Sequence, residues 1–291
     1  MVDRFLLAVA PLLLLPVLVA CGKPARDAGE AARVDTVPSA DGVPVVYEVR
    51  GEGAPTLVFV HGWSCDRGYW YAQVEPFSRE SRIVTVDLAG HGDSGPGRED
   101  WSMASFGADV AAVVRQLEAE RVVLVGHSMG GDVIVEAARR LPGRVAGLVW
   151  VDTYNELGDP RTPEEVRELM APFREDFVTA TRSFVRGMFP PGADDSLVEE
   201  VAADMSSAPP DVALGALEAA VTFDREIPPA LEELAVPVVA INPEEPPTDV
   251  ASLERHGVEV VTLSGVGHFL MMEDPESFNH RLARVIDGFV R

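Results

Sequence analysis

Two residues far apart in the chain have the types and settings needed to build a nucleophile. Ser128 stands in Gly126-His127-Ser128-Met129-Gly130, after the apolar run Val122–Val125 and before Asp132–Leu141, which reads as a helix. A serine on so sharp a strand-to-helix turn has its hydroxyl lifted above the sheet edge, and bulky side chains two residues to either side would collide, hence Gly126 and Gly130. The same turn aims the Met129 N–H and the helix N-terminus at the place where a negatively charged oxygen would form. A serine hydroxyl also needs a base to attack at neutral pH. His268 follows the apolar run Val258–Ser264 through the loop Gly265-Val266-Gly267, which brings an imidazole to the same sheet edge as Ser128.

The elements that must position these residues are legible as short β-branched runs separated by helical stretches. The runs are Thr56–Val60, Arg82–Asp87, Val122–Gly126, Val145–Asp152, Val236–Asn242 and Val258–Ser264. Runs apolar throughout suit strands covered on both faces. Between them, Ser102–Glu120 and Pro275–Arg291 carry apolar residues at helical spacing. The alternation predicts an α/β fold with a doubly wound, mainly parallel sheet. From Thr153 to about Pro229 no β-like run occurs, and prolines at 160, 163, 190, 191, 209 and 210 punctuate several helices. This predicts an all-helical insertion, whose Phe and Met content exceeds what one exposed layer needs and suits a lid over a pocket.

At this point the sequence resembles the α/β-hydrolase superfamily, through Val60-His61-Gly62-Trp63, Asp87-Leu-Ala-Gly90-His91-Gly92-Asp93-Ser94, Gly126-His-Ser-Met-Gly130 and Gly265-Val-Gly267-His268-Phe269. The likeness spans residues 41–291 and is strongest to esterase, lipase and haloperoxidase-like members with a helical cap. It implies Ser128 as nucleophile, His268 as base, and an oxyanion hole made by the N–H groups of Trp63 and Met129. It also implies that His61 and His91 brace loops. For the triad acid it leaves a choice. Many members place an aspartate after the strand matching Val236–Asn242, where this chain reads Asn242-Pro-Glu244-Glu245-Pro-Pro-Thr-Asp249. An alternative in the superfamily puts the carboxylate at the end of the preceding strand, where Asp152 stands. Asp152 is therefore the expected acid, with Glu244, Glu245 or Asp249 as the competing choices. The resemblance implies ester hydrolysis through an acyl-enzyme, on small to medium apolar acyl substrates. Its alternatives are a slow or non-catalytic binding protein on the same fold and a cofactor-free perhydrolase or haloperoxidase-like activity. Aspartyl-intermediate chemistry is disfavoured by a serine at the nucleophile position.

Composition narrows the partners. With 24 Lys and Arg against 47 Asp and Glu, a net charge of −23, the surface should repel nucleic acid and anionic headgroups. No motif resembles a metal or nucleotide site, so no cofactor is expected, and the partner is a small-molecule ester. Residues 1–20 combine a charged start with an apolar run ending in Leu18-Val19-Ala20-Cys21, which reads as an export signal and resembles the bacterial lipobox. That likeness implies lipid attachment at Cys21, membrane contact through the lipid only, and a tether over 21–40. The expected core is then 41–152 with 230–291, and the cap 153–229. Cys65 alone remains after Cys21, so the expected mature chain has no internal disulfide.

Overall fold

The structure, a computed structural model, describes residues 32–290. The expected export signal and Cys21 lie outside the described residues. Eight strands form one sheet in the order β1-β2-β4-β3-β5-β6-β7-β8: β1 (Arg33–Pro38), β2 (Pro44–Arg50), β3 (Thr56–Val60), β4 (Arg82–Val86), β5 (Val122–His127), β6 (Val145–Val151), β7 (Val238–Pro243) and β8 (Val258–Leu263). The β1–β2 and β2–β4 pairs are antiparallel and every later pair is parallel. The central strands β3 and β5 are buried along their whole length, as expected for strands covered on both faces.

Two sequence expectations are corrected here. The tether was expected to run to residue 40, yet the chain enters the sheet at Arg33. β1 is an edge strand with only Val37 buried, so its polar, exposed residues give no apolar run to detect. The other antiparallel strand, β2, mixes charged and apolar residues, unlike the central parallel strands, and also went unmarked.

Helices α1 (Tyr71–Ser78), α2 (Met103–Gln116) and α3 (Met129–Arg139) cover the first half of the sheet. The insertion after β6 is helical, as its pattern implied: α4 (Pro163–Glu175), α5 (Phe177–Arg186), α6 (Asp195–Met205), α7 (Pro210–Phe223) and α8 (Ile227–Glu233). α8 carries the helical run past the expected boundary at 229. Thr162 and Glu165 cap α4 reciprocally, which accounts for its start. α9 (Val250–Glu254), α10 (Leu270–Glu273) and α11 (Pro275–Val290) complete the chain. Among the described residues no helix is long and apolar enough to cross a membrane, and no side-chain group could hold a metal ion.

Candidate active site

The turn between β5 and α3 shows why its sequence is as it is. Ser128 has φ 52° and ψ −122°, a left-handed backbone that a non-glycine residue adopts at a cost of about 1–3 kcal/mol. A Cβ at Gly126 would lie 2.2 Å from the Gly130 carbonyl oxygen, and one at Gly130 would lie 2.5 Å from that of Val60 and 2.7 Å from that of His61. Gly130 thus lets the start of α3 touch the end of β3, which sets the loop His61-Gly62-Trp63 beside Ser128. Met129 is the first residue of α3, so no carbonyl of the preceding turn can accept its N–H. The side chain of His61 fixes its loop by donating from Nδ1 to the Gly62 carbonyl (2.8 Å) and accepting from the Leu88 N–H at Nε2 (3.0 Å).

His268 is held from several directions. Its Nδ1 donates to Asp152 Oδ2 at 2.6 Å, which leaves Nε2 as the basic nitrogen of the neutral ring. Its backbone N–H donates to the Met188 carbonyl in the cap (3.0 Å), and its carbonyl accepts from His127 Nε2 (2.9 Å). The flanking N–H groups of Gly267 and Phe269 both donate to the Glu273 carboxylate, at 3.0–3.1 Å. Burial, together with the nearby His268 charge, pushes the His127 pKa far below the ordinary histidine range. Burial likewise raises the Glu273 pKa, opposed by the two N–H bonds it accepts.

Asp152 closes β6 and has φ 45°, an unusual backbone for a residue other than glycine. The segment after it is braced from the next strand. Asn242, at the end of β7, donates its amide to the Tyr154 carbonyl (2.9 Å) and to Thr248 Oγ1 (3.0 Å), and the Asp249 N–H donates to the Asn155 carbonyl (2.8 Å). So the end of β7, just before the competing acids, carries an amide that supports the Asp152 loop. Glu244 and Glu245 are exposed, and the Asp249 carboxylate accepts from the Ser252 N–H (2.9 Å) at the start of α9; none of the three is bonded to His268.

Ser128, His268, Trp63 and Met129 line one cavity of about 540 Å³ between the sheet rim and the cap. The Ser128 hydroxyl has no hydrogen bond to the imidazole here; in free sites such a bond is often long and tightens on the substrate. The Trp63 ring forms part of the roof, donating from Nε1 to the Ala213 carbonyl of α7 (2.7 Å) and meeting Phe173, Phe177 and Phe184 edge-on, at 5.5–6.2 Å between centroids. Cys65 is buried and free, and burial pushes its thiol pKa well up, as suits a small packing residue. The sequence reading missed Glu273, His127 and Asn242. Each acts through backbone groups or a tautomer that no spacing rule marks, although Glu273 lies one helical turn beyond the His268 loop.

A sequence model of the alpha/beta hydrolase family matches residues 57–281. Over 130 residues, 44% of this chain, the protein is 36% identical to the dihydrolipoyllysine-residue acetyltransferase component of the acetoin cleaving system of Cupriavidus necator. The match spans about a third of that relative's length, 35%. It is 25% identical over 267 residues to 3-oxoadipate enol-lactonase 2 of Acinetobacter baylyi, covering 88% of this chain and 97% of that one. Among solved structures, one described as an N-acyl homoserine lactone degrading enzyme superposes with a TM-score of 0.74 at 29% identity, covering 86% of this chain and 99% of that one.

Proposed function

The chain belongs to the alpha/beta hydrolase family, and from that premise we propose that it is a serine hydrolase cleaving the acyl–oxygen bond of carboxylic esters through an acyl-enzyme. The reading rests above all on the 2.6 Å bond from His268 Nδ1 to Asp152 in the cavity that Ser128 also lines. In the proposed reaction Ser128 Oγ attacks the acyl carbon while its proton passes to His268 Nε2. Asp152 stabilises the resulting imidazolium, and the Trp63 and Met129 N–H groups stabilise the oxyanion, each such donor contributing about 2.7–4 kcal/mol. Collapse expels the alkoxide, which takes the proton from Nε2. Water, deprotonated by the same nitrogen, then releases the carboxylic acid and restores the serine.

The cap side of the cavity carries Phe184, Met188, Met205, Leu217 and Val221. It supports an acyl group of small to medium size and apolar character. The enol-lactonase and homoserine-lactone relatives favour including lactones, whose ring ester is opened by the same steps. Hydrolysis of p-nitrophenyl acetate, butyrate and octanoate tests the proposal. Turnover of the shorter esters that Ser128→Ala abolishes supports it, and a folded protein inert on all three contradicts it. We also propose export and lipid attachment at Cys21; Cys21→Ser should move the protein from the membrane fraction to the soluble one, and an unchanged distribution would overturn this part.

A further inference from the structure

Part of the cavity lining is polar, and the proposed ester chemistry uses none of it. Asp132 lies one turn beyond Ser128 on α3, is 4% exposed, and lines the cavity. The Tyr154 hydroxyl donates to Asp132 Oδ1 at 2.7 Å, while the second carboxyl oxygen has no protein partner among the described residues. Tyr154 lines the same cavity, two residues after Asp152. Beyond them stand Arg161 and Asp224, ion-paired with each other and also lining the cavity, with the Asp224 charge acting on both Asp132 and Tyr154.

A carboxyl group buried with no cationic partner is costly, and an apolar pair of similar size would stabilise the fold more. Burial raises the Asp132 pKa well above the ordinary carboxylate value and the Tyr154 pKa well above the ordinary phenol value, which favours the protonated form of each. A protonated Asp132 has an O–H to offer, and Tyr154 adds an oxygen that can accept as well as donate. This pair, lining the same cavity as the nucleophile, is equipped to bind an oxygen-bearing group and ill suited to a second alkyl chain.

We propose that Asp132 and Tyr154 form a specificity subsite for a neutral, oxygen-bearing limb of the substrate, such as an ether, hydroxyl or amide, with the apolar cap wall holding the other limb. The proposal rests on the ester-hydrolase reading and names the substrate class for it: amphipathic esters and lactones, not plain alkyl esters. The subsite offers no free positive charge to a limb ending in a carboxylate, because the nearby Arg161 is already paired with Asp224.

Two isosteric pairs, each exchanging one methylene for an ether oxygen, test it: p-nitrophenyl pentanoate against p-nitrophenyl 3-methoxypropanoate, and butyl acetate against 2-methoxyethyl acetate. With kcat/KM normalised to the rate of alkaline hydrolysis, the ether member of at least one pair should be preferred about tenfold, the scale of one well-placed hydrogen bond. Tyr154→Phe and Asp132→Leu should each bring that ratio towards one. A ratio near one for both pairs in the unaltered protein, or equal losses on both members in the variants, overturns the subsite while leaving the hydrolase reading intact. No turnover of any of the four esters, with Ser128 also unreactive to a fluorophosphonate, overturns both. The unaltered protein's ratios decide even if a variant fails to fold.

Discussion

The rim of the sheet and the helical cap meet at one cavity but are held together in different ways. Along the rim, polar bonds fix each group: His268 is bonded through its ring, its N–H and its carbonyl, and Glu273 holds the residues on either side of it. Asp87 similarly accepts from the Arg67 N–H (2.7 Å), the Arg67 guanidinium and the Asp93 N–H (2.9 Å), tying two rim loops together. The cap packs on the rim chiefly through rings, with Phe173, Phe177 and Phe184 around Trp63, and with polar ties such as Tyr69 to Asp204 (2.7 Å) at its edge. Directional bonds place atoms to within tenths of an ångström, whereas apolar packing fixes volume and tolerates adjustment. The rim should therefore govern the chemical step and the cap the choice of substrate.

The largest expected effect tests the rim. Asp152→Asn keeps the side-chain shape but removes the charge that orients the imidazole, and kcat should fall about 10⁴-fold, while the Glu244→Ala, Glu245→Ala double variant should lose less than about threefold. The reverse ranking, measured on p-nitrophenyl butyrate, would move the acid to the β7 side. Next comes Glu273→Ala, which leaves two N–H groups beside His268 without their acceptor. A loss of kcat of roughly tenfold with KM little altered is expected, since an unsatisfied buried donor costs about 1–3 kcal/mol. Glu273→Gln, which retains an acceptor oxygen, should recover part of it. A change confined to KM would place Glu273 with the cap in this comparison.

On the cap side, Phe184→Ala enlarges the apolar wall and should alter KM for butyrate and octanoate esters severalfold, with a smaller change in kcat. A kcat loss as large as that of the rim variants would erase the distinction. A separate effect is on stability. Burial lowers the pKa of His61 to about 4 and of His91 to about 3, against about 6.5 in the unfolded chain. Below pH 6.5 the unfolded chain binds more protons than the folded one, so the stability contributed by these neutral histidines is complete above pH 6.5 and falls as the pH drops towards 4. Unfolding free energies from urea titrations between pH 7 and 4.5 should decline by up to about 1.4 kcal/mol per pH unit for each histidine. A flat profile would show that the rim is not braced in this way.

The same division explains what could be read in the sequence. The Ser128 turn, the His268 loop and the parallel strands follow from local rules, since a glycine two residues from a strained serine or an all-apolar strand is dictated by atoms nearby in the chain. The pairing of Asp152 with His268 spans 116 residues and depends on β6 and β8 lying on either side of β7, so the residues alone left Glu244, Glu245 and Asp249 as competitors. The role of Asn242 was hidden for the same reason, because an amide bonded to the backbone of a neighbouring loop leaves no periodic signature. β1 was missed because an edge strand with one buried residue lacks the apolar pattern that marks its neighbours. The contact of Asp132 with Tyr154 went unseen because only the fold sets α3 against the loop after β6.

The account depends most on Ser128 being an activated nucleophile at the mouth of this cavity. Treatment of the folded protein with a fluorophosphonate, followed by peptide mass spectrometry, tests that directly. A single adduct on Ser128, formed quickly in the unaltered protein and more slowly by orders of magnitude in Asp152→Asn, is the predicted result. A folded protein that stays unlabelled, or that is labelled equally fast without the Asp152 charge, would contradict it.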